Sequence, residues 1–573
     1  MISMEDDKWQ VLFLQLPNID KQTVWHSENP KLAAVYLSNS VRNSNESGNW
    51  SLIVPPTDLD LCGDAALIKF IIAQKPDVIC MTLYLWNVER SVAIIRRIRN
   101  ILPRVHVMAG GPEVAFDHPF LFAGTDIDMA LEGDGESLFP HMLECVRTGK
   151  PPDYESVIFL DKGNYTVGSK KAEIQSLASI LPSPDDHLLA PDNKGVAYLE
   201  TGRACPYKCT FCRYSRMRKK VSFISAEDAV RRVAVMIERG AKEIRFIDPS
   251  MNMNPDFDKI LAGLIRVNKR GRVGFFGEML AEYVTADQAV LMKTAGFTCI
   301  EVGVQSTDPD VLRAVRRPAD GARVYEGIMN MSKAGLKQTI DLMCGLPLQG
   351  LCGVKSALKT YAAIPGAEVQ FLHALLLPGT EIRRQAGEYG MAAMPVPPYK
   401  VVSTVTMSQK DMMQADIEYQ SATGLYPDAE ESLLVTRSLR RFYNDRQCID
   451  LDSTHPCELL TDRSIYRALI FKSADFWAGR EKLFAIIESA CRQEPHSMWQ
   501  FILSTDKEFP LDLIDVVVAS IKKLDDVVAD RMAAAGDSDR TVSRRIFLLL
   551  EKKSSIPKQW VDEAEHLLMS AFR

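Results

Sequence analysis

The chain is 573 residues long, with 46% hydrophobic and 25% charged residues, a mix that builds packed cores and excludes disordered, collagen-like and disulfide-scaffold proteins. At this length more than one domain is expected. The formal net charge of −6, from 68 basic against 74 acidic residues, disfavours a general nucleic-acid binder.

In chain order, the apolar run Trp9 to Leu16 predicts a first strand and Pro30 to Val41 a helix. Ser51 to Pro55 and Asp77 to Leu83 read as further strands. Asn87 to Ile101 reads as a helix, with Val88, Val92, Ile95 and Ile98 on one face. Strand Val105 to Met108 runs into Gly110-Gly111-Pro112, and strand Ile127 to Ala130 into Glu132-Gly133-Asp134-Gly135-Glu136. These β/α units predict an α/β, Rossmann-like, doubly wound parallel sheet over residues 1–150, with ligands at the strand C-terminal ends. Residues 151–195, richer in Pro, Asp, Ser and Lys, read as a connector with a small hairpin.

Six further strands are expected at Gly195 to Glu200, Glu243 to Ile247, Gly274 to Phe276, Cys299 to Val304, Gln338 to Leu342 and Glu368 to Ala374. Helices such as Ala226 to Glu238 and Asp308 to Val315 separate them. This alternation predicts a partial (β/α)6 barrel over 196–400 with its chemistry at the strand C-terminal ends. Residues 401–573 read as a mostly helical C-terminal domain, with helices at Leu511 to Ala535 and Thr541 to Leu550. Its aromatic and basic residues, among them Tyr399 just ahead of it, Tyr419, Arg440, Arg441 and Tyr443, are candidates to frame a substrate.

No run reaches the roughly 18 apolar residues of a membrane span. The acidic start Met1-Ile2-Ser3-Met4-Glu5-Asp6-Asp7 lacks the basic and apolar regions of a secretory signal, so a cytoplasmic protein is expected. Twelve cysteines in so long a chain are no disulfide framework, and three of them clustered together point to metal. They stand in Arg203-Ala204-Cys205-Pro206-Tyr207-Lys208-Cys209-Thr210-Phe211-Cys212, a Cys-x3-Cys-x2-Cys loop directly after an apolar strand. Three thiolates from one tight loop suit three corners of a cubane iron–sulfur cluster and leave the fourth iron open. Zinc is the alternative, but it prefers four protein ligands, the next cysteine is Cys299, and the nearest histidine, His187, lies upstream.

The three cysteines, with Phe211 before the last, resemble the signature of the radical S-adenosylmethionine (SAM) superfamily. The sheet domain in front makes the chain similar to the B12-binding branch of that superfamily. The likeness covers residues 9–400 and is carried further by Gly110-Gly111-Pro112-Glu113, Glu132-Gly133-Asp134-Gly135-Glu136, Glu301-Val302-Gly303-Val304-Gln305-Ser306, Gly345-Leu346-Pro347 and Leu376-Leu377-Pro378-Gly379-Thr380. The resemblance implies a [4Fe–4S] cluster on Cys205, Cys209 and Cys212, SAM at its open iron, and cobalamin in the N-terminal domain. It places Asp248 at the SAM amino group, and Phe211, Glu278, Gln305, Ser306 and Asp341 around SAM and substrate. Leu377 lies in the loops expected beside adenine and ribose. Strand-end polar residues also serve as turn caps, and that reading stands beside the first.

Gly-x-Gly-x-x-Gly is missing after the first strand, where Gln15-Leu16-Pro17-Asn18 stands, which disfavours NAD and FAD. Leu85, Trp86 and Asn87, Gly110, Gly111 and Pro112, and Glu132, Gly133, Asp134 and Glu136 match family positions that line a corrinoid. No Asp-x-His-x-x-Gly occurs and Asp117-His118 are adjacent, so a histidine lower ligand is not expected and the dimethylbenzimidazole tail is expected to lie displaced. Leu85 or Trp86 then covers the lower cobalt face, or Trp86 is a core aromatic fixing the next helix. The basic run Arg213, Arg216, Arg218, Lys219 and Lys220 reads as a solvated helix start, with contact to a phosphate, a peptide carboxylate or an acidic electron donor as the alternative.

The activity implied by the resemblance is methylation of an unactivated carbon of a natural-product or peptide substrate, through a 5′-deoxyadenosyl radical and methylcobalamin. Ring contraction, cyclisation or oxidation with the same cofactors is the alternative, and a cobalamin-binding sensor or carrier is a third. A flavodoxin or ferredoxin electron donor, no nucleic-acid partner and a monomer are expected.

Overall fold

The computed structural model describes residues 8–19, 29–173, 175–214, 220–424, 435–436, 438–455, 458–460, 463–524, 527, 530–531, 543–551 and 556–571. In chain order the first seven strands are β1 (Trp9–Leu14), β2 (Trp50–Ile53), β3 (Val78–Thr82), β4 (His106–Gly110), β5 (Met129–Leu131), β6 (Val157–Asp161) and β7 (Asn164–Val167). They form one sheet in the order β2-β1-β3-β4-β5-β6-β7. The first five are parallel and the last two antiparallel. The hairpin in the expected connector therefore extends this sheet.

Successive side chains of β1 and β3 point to opposite faces, and both faces are apolar because both are covered. Val11, Phe13, Val78 and Cys80 pack under the helices Leu32–Arg42 and Phe139–Thr148. Leu12, Leu14, Ile79 and Met81 pack under Asp64–Gln74 and Val88–Ile101. The order β2-β1-β3-β4-β5 reverses between β1 and β3, and a doubly wound sheet receives its ligand at such a switch point, beyond the strand C-terminal ends.

Six parallel strands follow, side by side in chain order: Val196–Leu199, Glu243–Phe246, Gly274–Met279, Phe297–Gln305, Lys337–Cys344 and Ala367–His373. They are the six expected strands, joined by helices such as Ala226–Glu238, whose Ser225 side chain accepts the Asp228 amide at 3.2 Å.

The C-terminal region corrects the helical expectation. It is α/β, with a five-stranded parallel sheet in the order Val435–Thr436, Arg544–Leu550, Met498–Thr505, Tyr466–Lys472, Asp445–Asp450. The helix expected at Thr541 to Leu550 is a strand, and the helix begun at Asp512 ends at Lys522. Arg-Arg-Ile-Phe-Leu-Leu-Leu is buried on both faces, so it lacks the two-residue alternation that marks a strand. Helices Arg480–Gln493, Asp512–Lys522 and Lys558–Ala571 share one face of this sheet. The domain docks on the first one through Glu494, whose carboxylate accepts the Asp64 and Ala65 amides at 2.9 and 3.1 Å and so caps the helix Asp64–Gln74.

Candidate functional site

The cysteine loop leaves the first barrel strand and is held at its base by Gly202–Arg203, paired antiparallel with Ser222–Phe223. Gly202 is needed there, since a Cβ would lie 2.7 Å from Phe223 and 2.9 Å from Asp248 Oδ1. Farther along, the Thr210 amide donates to the Val315 carbonyl at 2.9 Å and the Ile382 amide to the Thr210 carbonyl at 3.0 Å. Cys209 is buried, with Cys205, Phe211 and Cys212 half-buried around it. Burial pushes the Cys209 thiol up to about 11; the neighbouring Cys212 and Cys205 add to the rise and Arg317 opposes it. The donor set is three thiols from one loop, which suits three corners of an iron–sulfur cluster.

Inside the barrel, Glu278 lies opposite Glu301, and Gly303 opposite Asp341, on three adjacent parallel strands. Glu278 is pushed up to about 7 by burial, then by Glu301 and Asp248. Asp341 is pushed up to about 8 by burial, then by Glu301 and Glu278, and its buried Oδ1 has no hydrogen-bond partner. Asp248 is 1% exposed, accepts the Thr201 amide at 3.0 Å and its hydroxyl at 2.7 Å, and burial lifts it to about 7. It ties the first two barrel strands together. Gly303 leaves room for Gln305, whose side-chain amide occupies the place of a Cβ. Ser306 and Leu377 serve turns: the Ser306 Oγ accepts the Asp308 amide at 3.2 Å, and the Leu377 carbonyl accepts the Thr380 hydroxyl at 2.7 Å.

A cavity of about 390 Å³ opens at the C-terminal ends of β1, β3, β4 and β5. Phe13, Met81, Met108, Leu131, Phe139 and Met142 make it apolar, and Gly110, Gly111, Pro112, Gly133, Asp134 and Glu136 rim it. The barrel supplies the opposite wall through Glu200, Arg203, Ala204, Tyr214 and Ile247. Gly111 has φ +103°, and a Cβ there would meet the Leu83 carbonyl oxygen at 2.5 Å.

Tyr84 lines the cavity, where Leu85, Trp86 and Asn87 were expected. Trp86 stacks on Tyr84, with ring centroids 4.6 Å apart, and Leu85 packs against the barrel core. The Asn87 side chain anchors the loop: it accepts the Tyr84 amide at 2.8 Å and donates to the Leu16 and Thr82 carbonyls at 2.9 and 3.2 Å. His118 is also fully engaged. Its Nδ1 accepts the Leu121 amide at 3.0 Å, and its Nε2 lies 3.2 Å from both Glu113 Oε2 and the Tyr399 hydroxyl.

Residues 199–359 match the family model of the Radical SAM superfamily, and residues 25–143 that of the B12 binding domain. The chain joins a B12 binding domain to a Radical SAM domain. Among curated relatives, it is 28% identical over 305 residues to the 2-(S-pantetheinyl)-carbapenam-3-carboxylate methyltransferase of Streptantibioticus cattleyicolor, and 25% identical over 305 residues to the cobalamin-dependent radical SAM methyltransferase TokK of Streptomyces tokunonensis. Each match covers 48% of this chain and 43% of the relative, so the chain spans less than half the length of either. Among solved structures, the cobalamin-dependent SAM radical enzyme OxsB, with aqua-cobalamin and SAM bound, superposes with a TM-score of 0.55 at 13% identity, over 72% of this chain and 66% of that one. It shares the fold.

The cofactors of a B12-binding radical SAM enzyme are a [4Fe–4S] cluster, SAM and cobalamin, and the residues present fit them. Three thiols from one loop are the donor set of a [4Fe–4S] cluster with an open iron, and the apolar, glycine-rimmed cavity suits the face of a broad flat ring. Sequence reading missed Glu301 as a site residue, although it alternates with Gly303 and Gln305 on one strand face. It also misjudged Arg213, read as solvated but 5% exposed. Arg216, Arg218 and Lys219 lie outside the described residues. The aromatic candidates scatter: Tyr399 sits at the junction with Glu113, Tyr419 stacks on Phe371, and Tyr443 lies under the C-terminal sheet.

Proposed function

We propose that this enzyme transfers a methyl group to an unactivated carbon of a natural-product or peptide substrate, with Cys205, Cys209 and Cys212 as cluster ligands. One observation carries the reading: Ala204, bonded directly to Cys205, lines the same cavity as Gly110, Gly111 and Gly133. The cluster loop and the corrinoid crevice share a wall. When bound, the cluster with SAM supplies a carbon-centred radical, and cobalamin supplies the methyl group.

The chain's own residues bring these sources together and keep water away. The apolar floor from Phe13 to Met142 excludes solvent, and Gly111 lets the β4 loop lie flat on Leu83. Glu278, Glu301 and Asp341 give the barrel lumen an acidic floor that receives polar groups of SAM or substrate. Gln305 extends that polar surface toward the mouth. Holding both sources over one mouth makes the second transfer effectively intramolecular.

The wider reading is that residues 1–150 with the 157–167 hairpin form the corrinoid unit, 196–400 the radical unit and 401–573 a unit facing substrate. A cytoplasmic monomer reduced by flavodoxin or ferredoxin completes it; among the described residues no helix is long and apolar enough to cross a membrane.

The test is anaerobic reconstitution with iron, sulfide and hydroxocobalamin, followed by incubation with SAM and dithionite. Formation of 5′-deoxyadenosine in the wild type but not in Cys205→Ala, with S-adenosylhomocysteine alongside, is the expected result. Deoxyadenosine without S-adenosylhomocysteine, with an authentic substrate present, replaces methyl transfer by ring contraction, cyclisation or oxidation.

A further inference from the structure

Two arginines bracket the cysteine loop, Arg203 two residues before Cys205 and Arg213 immediately after Cys212. Both turn away from solvent and toward the other domain. Arg213 donates from Nε to the Pro112 carbonyl at 3.0 Å, from Nη1 to Glu132 Oε1 at 3.0 Å, and from Nη2 to the Val114 carbonyl. The barrel loop at Gly379 closes behind it, since a Cβ there would fall on the guanidinium. That loop is itself tied across the junction, its Gly379 amide donating to Asp117 Oδ1 at 2.7 Å.

Arg203 grips Glu200 with two N–H donors at 2.6 and 2.7 Å and Glu136 with a third at 2.8 Å. Asp134 lies 3.6 Å away. Burial works against the Arg203 charge, but the bond to Glu200 and the charges of Glu136, Glu200 and Asp134 hold it firmly protonated. Every acidic residue of Glu132-Gly133-Asp134-Gly135-Glu136 thus meets an arginine from one side of the cysteine loop or the other. Gly133, Asp134, Gly135 and Glu136 of that segment line the cavity, whereas Glu132, expected from the sequence to line it, does not.

A contact that only held two domains together would be served as well by apolar packing, because buried ion pairs repay their desolvation poorly. What a guanidinium fork adds is direction: its donors fix the distance and angle of whatever they bind. Arg213 spends its donors on the loops after β4 and after β5 at once, and its backbone is bonded to Cys212.

We propose that Arg213 and Arg203 are positioning residues that hold the corrinoid-lining loops in register with the cluster loop and so set the distance between cobalt and cluster. The proposal rests on the reading that the cavity holds cobalamin and the cysteines hold the cluster. Its consequence is selective. Loosening the clasp leaves each cofactor bound and radical formation intact, while methyl transfer between them falls, because a displacement near 1 Å costs up to about 10²-fold in rate.

The variants are Arg213→Lys, which keeps the charge and loses the fork, and Glu132→Gln, which disturbs the partner without touching the cysteine loop. Both are reconstituted with iron, sulfide and hydroxocobalamin. Iron and cobalamin content are measured, then the power saturation of the cobalt(II) electron paramagnetic resonance signal beside the reduced cluster, which depends on their separation. The expected result is wild-type cofactor content and deoxyadenosine formation, a lower half-saturation power, and S-adenosylhomocysteine formation down by about 10-fold or more. Wild-type saturation in either fully loaded variant overturns the proposal. So does loss of cobalamin from Arg213→Lys while Glu132→Gln keeps wild-type saturation, since the arginine would then serve packing alone. Failure of the wild type itself to bind cobalamin or iron overturns the cofactor reading beneath it, a result read before any variant is compared.

Discussion

Two sheets carry their candidate site residues at the same place, the C-terminal ends of their parallel strands, and line it in opposite ways. The N-terminal crevice is apolar and glycine-rimmed, from Phe13, Met81 and Met108 to Gly111 and Gly133. The barrel lumen carries Glu278, Glu301 and Asp341 side by side, with Asp248 at its edge. The crevice can accept a broad ring without charge complementarity, whereas the lumen rewards hydrogen-bond donors and cations. Architecture placed both sites; a few side chains gave them different chemistry.

The sharpest way to separate the two regions is Cys209→Ala. It removes the most buried of the three thiols and is expected to abolish deoxyadenosine formation. Cobalamin retention after gel filtration is expected to persist, because the apolar floor and the glycine rim of the crevice belong to the other sheet. Loss of both would mean the regions form a single site that assembles only when the cluster is present.

Gly111→Ala strikes the other side. A side chain at φ +103°, with its Cβ 2.5 Å from the Leu83 carbonyl oxygen, forces backbone apart at a cost of about 1–3 kcal/mol. The expected outcome is protein that carries its full iron and sulfide complement but loses most of its cobalamin. Normal cobalamin content would show that the β4 loop can shift without consequence.

The acidic lumen should announce itself through pH. Glu278 and Asp341 hold protons up to about 7 and about 8 in the folded chain, where an unfolded carboxyl has already released them. Stability from these groups is therefore full below the ordinary carboxylate range and lost as pH rises through those values. The thermal midpoint of the apoprotein is expected to fall between about pH 4 and 8 and to level off above, by some 2–4 °C per kcal/mol. Glu278→Gln removes one titrating group and should flatten that slope; an unchanged slope would place the proton elsewhere.

The sequence was readable where local and tertiary signals agree. The helix Ala226–Glu238 has a serine cap and a periodic apolar face, and all six barrel strands alternate with helices. The cysteine spacing suggests a cluster site without any fold at all. It failed where burial overrides a local signal. The leucine-rich Arg544–Leu550 strand looks helical because both its faces are covered. Arg213 looks solvated because arginines usually are, and nothing local shows that Glu132 and the Pro112 and Val114 carbonyls await it across a domain boundary. Asn87 matched a corrinoid position, yet every hydrogen bond it makes is to backbone.

The smallest effect concerns the edge of the crevice. Trp86 reaches the cavity only through Tyr84, on which it stacks at an interplanar angle of 5°. Such a pair contributes about 0.5–1.5 kcal/mol beyond its buried area. Trp86→Leu should therefore weaken cobalamin binding only several-fold, by letting the Tyr84 ring tilt. Trp86→His should leave the cobalt absorption spectrum unchanged, because residue 86 does not face the ring. Tyr84→Ala should cost more than either, since it takes away the wall itself. A new cobalt–nitrogen band in Trp86→His would reverse that order, put residue 86 under the corrin and make Tyr84 its support.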